Sequence, residues 1–304
     1  MMKNLLILTG KIGRKRQGLA DYVQQKFANQ VKVTLGLFVD LIFEIEGRKV
    51  AVRLNDRKMT DFDLVIFRGV GADFLTVAGD LALCLEHLQI EYTDTVFKQI
   101  GPFGSKMTAL IKLSLAGLPI MPSYYCQRPK IQERMDEIIH RFGFPLIAKE
   151  LSLGRGEGVF LLKKKEDFNF LDEVEPEQEF LFQDFYPDNE EYRLLVLGYK
   201  PMAYYQKIRT DPNEFRANTA LGAKEKYMPV SQAPKKMRAM AVKAVRTLGY
   251  EVAGIDFLVD KKTQKIWILE VNRGPGFTYD LQASPELPVF ASFIAKKLRM
   301  KNAT

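Results

Sequence analysis

Ala253-Gly254-Ile255-Asp256-Phe257-Leu258-Val259 and Ile266-Trp267-Ile268-Leu269-Glu270-Val271-Asn272 are the segments on which the fold turns. Both read as apolar strands, and Asp260 to Lys265 between them reads as a hairpin turn. Side chains alternate along a strand, so Glu270 and Asn272 share a face. An antiparallel neighbour brings Asp256 to that same face. Three oxygen-bearing side chains then converge among Ile, Leu and Val, where an uncompensated carboxylate is costly. Carboxylate and amide oxygens together suit a hard divalent cation such as Mg²⁺. The same residues also suit strand-end acids facing solvent, with Asn272 opening a turn at Gly274-Pro275-Gly276.

Upstream, Pro145 to Lys149 and Val159 to Lys163 read as strands flanking Gly154-Arg155-Gly156-Glu157-Gly158. Alternating glycines let a backbone approach a phosphate chain and aim N–H groups at it. Lys149 supplies a point charge at the strand end. The loop lacks the P-loop pattern, and it leads into a strand where a dinucleotide fingerprint leads into a helix. A plain hairpin turn is the competing reading. Glu179 to Phe185 is an apolar strand entering the bend at Pro187, followed by acids Asp188 to Glu191. Phe215-Arg216-Ala217-Asn218 follows the turn Asp211-Pro212-Asn213, where an Arg is either a phosphate clamp or a solvated charge.

The chain of 304 residues is 47% hydrophobic, enough for two or three packed units. Its net charge of +8 permits acidic partners without selecting one, because the basic residues are dispersed. The densest runs are Lys11 to Arg16, Lys163 to Lys165, Lys224 to Arg238 and Lys296 to Lys301, each readable as a solvated face. Cys84 and Cys126 have no partner at metal or redox spacing, which fits a reducing compartment. Neither a signal peptide nor a membrane span is apparent, so a cytoplasmic protein is expected.

The first hundred residues alternate strands (Asn4–Thr9, Val31–Val39, Phe62–Phe67) with helices (Leu19–Gln30, Thr76–Leu88), and a hairpin is read at 41–54. That pattern predicts an open α/β sheet. A boundary is expected at Gly101-Pro102-Phe103-Gly104, then helices from Ser105 to Ala116 and from Lys130 to Phe142. Further strands are read at 193–197 and 200–208, and helices at 235–248 and 288–298.

Taken in order, Lys106, Lys149, the glycine loop, Gln183, Glu191, Arg216, Asn218, Asp256, Glu270 and Asn272 form a series that resembles the ATP-grasp superfamily. It is most similar to the RimK-type carboxylate–amine ligases. The resemblance runs from about Gly101 to the end, and the separation of Asp256 from Glu270 and Asn272 is its most specific part. It implies an α/β (α+β) chain. An N-terminal pre-ATP-grasp domain over 1–100 precedes a two-subdomain ATP-grasp fold over 101–186 and 187–304.

The resemblance also implies roles. Lys106 and Lys149 contact ATP, Gly154, Arg155, Gly156 and Gly158 belong to a lid loop, and Gln183, Asp184 and Phe185 form the adenine hinge. Glu191 holds the ribose, Asn218 the nucleotide or a metal, and Arg216 the transferring phosphoryl group. Asp256, Glu270 and Asn272 hold one or two Mg²⁺ ions, and Mn²⁺ also fits these donors. Arg68, after the strand Phe62 to Phe67, is placed toward the substrate. Ser105, Leu153 and Phe277 to Pro285 depart from the family pattern, and the last segment leaves the acceptor open.

The implied reaction transfers the γ-phosphoryl group to a carboxylate and joins the acyl phosphate to an amine. The substrates would be an amino acid and a peptide, protein tail or small molecule. A kinase acting on a hydroxyl, a nucleotide-binding regulator without turnover and a nucleic-acid module are the alternatives. A homo-oligomer is compatible with all of these readings.

Overall fold

The computed structural model describes residues 2–46, 49–99, 106–125, 128, 131–151, 158–176, 178–211, 214–218 and 221–300. The chain begins with β1 (Lys3–Thr9), α1 (Arg14–Lys26), β2 (Val31–Leu37), the hairpin β3 (Leu41–Glu46) and β4 (Lys49–Leu54), and β5 (Arg57–Lys58). β6 (Leu64–Phe67), α2 (Leu75–His87) and β7 (Glu91–Tyr92) complete this part. β2-β1-β6-β7 form a four-stranded sheet with only parallel pairings, as the alternation predicts. Leu5 to Leu8 are all fully buried, the signature of a parallel strand covered on both faces. Leu6 and Leu8 face α2, whereas Leu5 and Ile7 face α1.

Helix α1 starts at Arg14, earlier than the expected Leu19. Arg, Lys and Gln are good helix formers, so the helix extends through the basic stretch while only Leu19, Ala20 and Val23 are buried.

The next part holds α3 (Lys106–Leu115), β8 (Ser123–Tyr125), α4 (Ile131–Phe142), β9 (Leu146–Glu150), β10 (Val159–Leu162) and β11 (Phe180–Asp184). These strands form a four-stranded sheet, order β10-β9-β11-β8, with its own apolar cluster under α4. The last part comprises β12 (Asn189–Leu197), β13 (Lys200–Ile208), β14 (Lys224–Met228), α5 (Lys235–Leu248), β15 (Val252–Asp260), β16 (Ile266–Arg273) and α6 (Glu286–Lys297). Its five strands are antiparallel, in the order β14-β13-β12-β15-β16. Strand β14 is not legible in the sequence: its alternating Lys and Glu reads as surface charge, but Glu225 and Tyr227 turn inward to partners.

The first sheet and the five-stranded sheet share their packing layers. Helices α2 and α5 lie in one apolar cluster with Leu194, Val196, Ile255 and Phe257. Helices α1 and α6 lie in the other with Leu195, Leu197 and Val252. A polar tie crosses this junction. Asp94, with φ of 62°, accepts hydrogen bonds from the backbone N–H of Glu251 (2.9 Å) and Val252 (3.1 Å).

Burial pushes the Asp94 carboxyl up to about 6, although both N–H groups and Arg273 favour its charge. A raised carboxyl binds its proton more tightly when folded. The folded state is therefore favoured below the unfolded value near 4, and that advantage disappears as pH rises through about 6. Between pH 4 and 7 the wild type should lose about 2–3 kcal/mol relative to Asp94→Asn, read from urea unfolding at each pH. Parallel pH profiles for the two proteins would rule this out.

Candidate active site

One face of the five-stranded sheet carries a row of charged residues. Cross-strand register aligns Glu225 with Lys207, Lys207 with Glu191, Arg193 with Asp256, and Asp256 with Glu270. Asn272 pairs with Gly254 one step along, so Asp256, Glu270 and Asn272 converge as their alternation requires. A bulge makes Leu269 the extra residue of β16, and this turns Trp267 to the same face as Glu270. Trp267 there joins Met121 and Leu258 in a small apolar cluster, with Tyr186 packed against it. Backbone pairing of Ile268 with the segment before β8 adds to the seat between the two sheets.

Asp256 is the hub of the face. Arg193 donates to it twice, Nε to Oδ1 at 2.6 Å and Nη2 to Oδ2 at 2.7 Å. Lys207 Nζ lies 2.9 Å from Oδ1, and Asn272 Nδ2 donates to Oδ2 at 3.1 Å. Burial pushes the Asp256 carboxyl up, but Arg193 and then Lys207 more than reverse this and hold it below the usual carboxylate range. Glu191, in the same row, is pushed up to about 7 by burial; Lys207 opposes that rise and Asp256 adds to it. Gly254 makes room for the fork, since a Cβ there would sit 3.0 Å from Pro275 Cβ and 3.2 Å from Arg193 Cδ.

The four-stranded sheet delivers its own charges across the gap. Lys149 Nζ on β9 is 3.6 Å from Glu270 Oε2 on β16. Lys106, from the first turn of α3, donates to the Glu150 carbonyl at 3.0 Å. Burial, and then Lys149 beside it, lower the Lys106 ammonium below its ordinary value. Two lysines and a carboxylate from three separate elements thus meet at one point.

The other expected residues divide. Gln183 is buried on β11 and donates to Ser123 Oγ at 2.8 Å. Asp184 follows it, raised by burial, and Phe185 packs edge-on against Phe215 at 6.1 Å. That contact places the end of β11 beside the 214–218 segment. There Arg216 binds Glu214 through Nε and Nη2, each at 2.8 Å. The Asn218 carbonyl accepts the N–H groups of Leu221 and Ala223. Gly158 closes the loop with φ of 67°, while Gly154, Arg155 and Gly156 lie outside the described residues. His87 and His140 sit on α2 and α4, away from this face.

Arg193, Lys207 and Arg209 do not stand out in the sequence. Strand alternation is the available signal, since Arg193 and Lys207 each fall on the Asp256 row. Arg209 bonds to the carbonyls of Phe215 and Asn189 and so ties the 214–218 segment to β12.

Among the described residues no group of three or more Asp, Glu, His or Cys converges on a point that could hold a metal. The donor set expected for a metal is two carboxylates and an amide, and in this structure Arg193, Lys207 and Asn272 occupy the two oxygens of Asp256. That set fits Mg²⁺, which keeps waters and phosphate oxygens in its shell and needs few protein ligands. No helix among the described residues is long and apolar enough to cross a membrane.

Residues 107–284 match the RimK-like ATP-grasp domain family. A probable alpha-L-glutamate ligase of Legionella pneumophila (strain Corby) is 29% identical over 255 residues, covering 82% of this chain and 80% of that one. Among solved structures, the ATP-grasp ligase PsnB complexed with minimal precursor, Mg and ADP superposes with a TM-score of 0.70. It has 14% identity and covers 97% of this chain and 98% of its own. D-alanyl-alanine synthetase A from Vibrio cholerae gives 0.68 at 14% identity, with 98% of each chain covered. These two structures share the fold.

Proposed function

The chain belongs to the RimK-like ATP-grasp family and is a ligase, and we propose that it joins a carboxylate to an amine in a reaction driven by ATP. The observation that carries this reading is the approach of Lys149 to Glu270 across the gap between two sheets. A triphosphate needs cations along its length and a metal seat at its end, and this junction offers both.

In this reading Gln183, Asp184 and Phe185 receive the adenine and Glu191 the ribose. Lys106 and Lys149 line the phosphates, with Asn218 alongside, and the loop that ends at Gly158 has the lid role. Arg216 neutralises the phosphoryl group in transfer, and Asp256, Glu270 and Asn272 hold one or two Mg²⁺ ions. A divalent cation held by these donors would neutralise phosphate charge. The side chains do the rest by position: fixed cations lower the barrier because they need no reorganisation as charge moves. Attack by the carboxylate oxygen on the γ-phosphorus releases ADP and gives an acyl phosphate. Attack by the amine on its carbonyl then releases phosphate and forms the amide. Keeping water from the acyl phosphate is the task of the loop.

The test is ADP release from the purified chain with ATP and Mg²⁺, screened over paired amino acids and acidic peptides. The expected result is ADP and phosphate released only when both a carboxylate and an amine are present, with an amide product by mass spectrometry. A phosphorylated product without phosphate release would instead mark a kinase.

A further inference from the structure

Arg68 is fully buried, and only one edge of its guanidinium is satisfied. Nη2 donates to the Pro275 carbonyl at 2.6 Å, and the group stacks 4.3 Å above the Phe277 ring. Nε and Nη1 are buried with no acceptor. A purely structural strut explains the stacking and the one hydrogen bond. It leaves two desolvated donors unexplained, and an unpaired buried donor is costly.

A second guanidinium lies alongside. Arg16, half-buried in the first turn of α1, rests on Gly69, where a Cβ would come within 2.5 Å of its Nη2. Gly69 also has φ of +62°, so a residue with a side chain is disfavoured there twice over. Burial and then Arg16 push the Arg68 guanidinium down to about 10. Asp94, Glu286 and Tyr279 act the other way, from beyond hydrogen-bond reach of Nε and Nη1. Burial pushes the Tyr279 hydroxyl up, and Arg68 and Arg16 beside it oppose that rise. Two adjacent cations, of which Arg68 has unfilled buried donors, describe a place for an anion.

The location is suited to a ligand. Arg68 follows β6 and Gly10 follows β1, joined by a hydrogen bond from Gly10 N–H to the Gly69 carbonyl. After β1 the chain goes to β2 on one side, whereas β6 lies on the other. This is the carboxyl edge of a parallel sheet at its topological switch point, the usual ligand crevice of such sheets. Opposite stands the loop from Gly274 to Tyr279, which starts two residues after Asn272. Three residues of chain span at most about 10 Å, so the pair of arginines is one short loop from the carboxylate cluster.

We propose that Arg68 and Arg16 form a carboxylate-binding site for a substrate carboxyl group that is not the one activated. The reacting carboxylate must meet the phosphates near Lys149 and Glu270, on the other side of Pro275. Arg16 is the movable part: it covers a glycine, and turning it outward opens the way to Arg68. The exposed Lys11, Arg14 and Lys15 just before it attract the anion. That the carboxylate belongs to a substrate rests on the ligase reading; the anion site does not.

The probe is glutarate, a dicarboxylate without an amine, titrated calorimetrically into the full chain without nucleotide. Glutaramide is the neutral control, inorganic phosphate the competing anion, and Mg²⁺–ADP binding the check on integrity. Wild type should bind glutarate and not glutaramide. Arg16→Gln should weaken glutarate at least about 10-fold, with partial recovery in Arg16→Lys and unchanged ADP binding. Arg68→Lys should weaken it too, but Arg16 is the deciding position, because its replacement leaves the core intact. Absence of glutarate binding, equal binding of glutaramide or phosphate, or indifference to Arg16→Gln each overturns the proposal. Glutarate binding as expected, in a chain that makes no amide with any substrate pair, would overturn the ligase reading alone.

Discussion

Glu270→Gln is expected to lower amine-dependent ADP release by roughly 10²–10³-fold while leaving the fold in place. Glu270 stands where the two sheets meet, 3.6 Å from Lys149, with its side chain 27% exposed. The substitution keeps the shape and removes the charge. One of two carboxylates at the proposed metal seat is lost, and Lys149 loses the partner that fixes its direction. Both losses fall on the developing charge at the phosphoryl group, so kcat should fall more than the affinity for ATP. Stability should change by less than about 1 kcal/mol, because a partly exposed ion pair contributes little. ADP release and thermal unfolding measured on the same preparation separate the two effects. A turnover rate within a few-fold of wild type would remove Glu270 from the site.

Arg193→Met is expected to cost about 3 kcal/mol of stability at neutral pH, a loss at the lower end for breaking a buried pair. Asp256 is only 6% exposed, and Arg193 supplies two of its short hydrogen bonds. Lys207 and Asn272 remain, which limits the loss. The sign with pH follows from the depressed Asp256 carboxyl. The pair stabilises above the unfolded value near 4, and the contribution is lost as pH falls below it. Wild type and Arg193→Met should therefore converge in acid. Adding Asp256→Asn should restore part of the loss at pH 7, because the stranded charge goes with it. Urea unfolding of wild type, both single variants and the double variant forms the required cycle. A double variant no more stable than Arg193→Met would mean that Arg193 acts by packing alone.

The two predictions rest on different kinds of residue. Glu270 is legible in the sequence from its spacing to Asp256 and Asn272. Arg193 is not, although it lies in the middle of a strand whose alternation is readable. A charged residue in an apolar strand can be an exposed edge or a buried partner. Only the register with β15 shows that its neighbour is Asp256. Lys207 is hidden for the same reason. Tyr227 and Glu286 are hidden further, since their contact joins positions 59 residues apart through a strand that reads as surface charge.

Arg68 shows the opposite case. The sequence marks an Arg after a buried strand, and the resemblance places it toward a substrate. The fold buries it completely against Pro275 and Phe277, with Arg16 resting on the adjacent Gly69. The segment from Phe277 to Pro285, which departs from the family pattern, supplies Tyr279 to this junction. It also supplies Thr278 and Ser284 to the network around Glu286. Its sequence alone says nothing of either contact, because both partners come from other elements.

The sequence by itself determined the open α/β sheet, the order of the longer strands and helices other than β14, and the sharing of one face by Asp256, Glu270 and Asn272. Those features are local: they follow from periods of two and 3.6, from turn residues and from apolar runs. The tertiary structure alone decided which charges meet. The bulge at Leu269 turns Trp267 and Glu270 to one face, and the small cluster around Trp267 seats one sheet against the other. That seating sets Lys149 opposite Glu270, two residues 121 positions apart. Electrostatic pairing depends on distances across the fold, and these follow from packing rather than from any spacing along the chain.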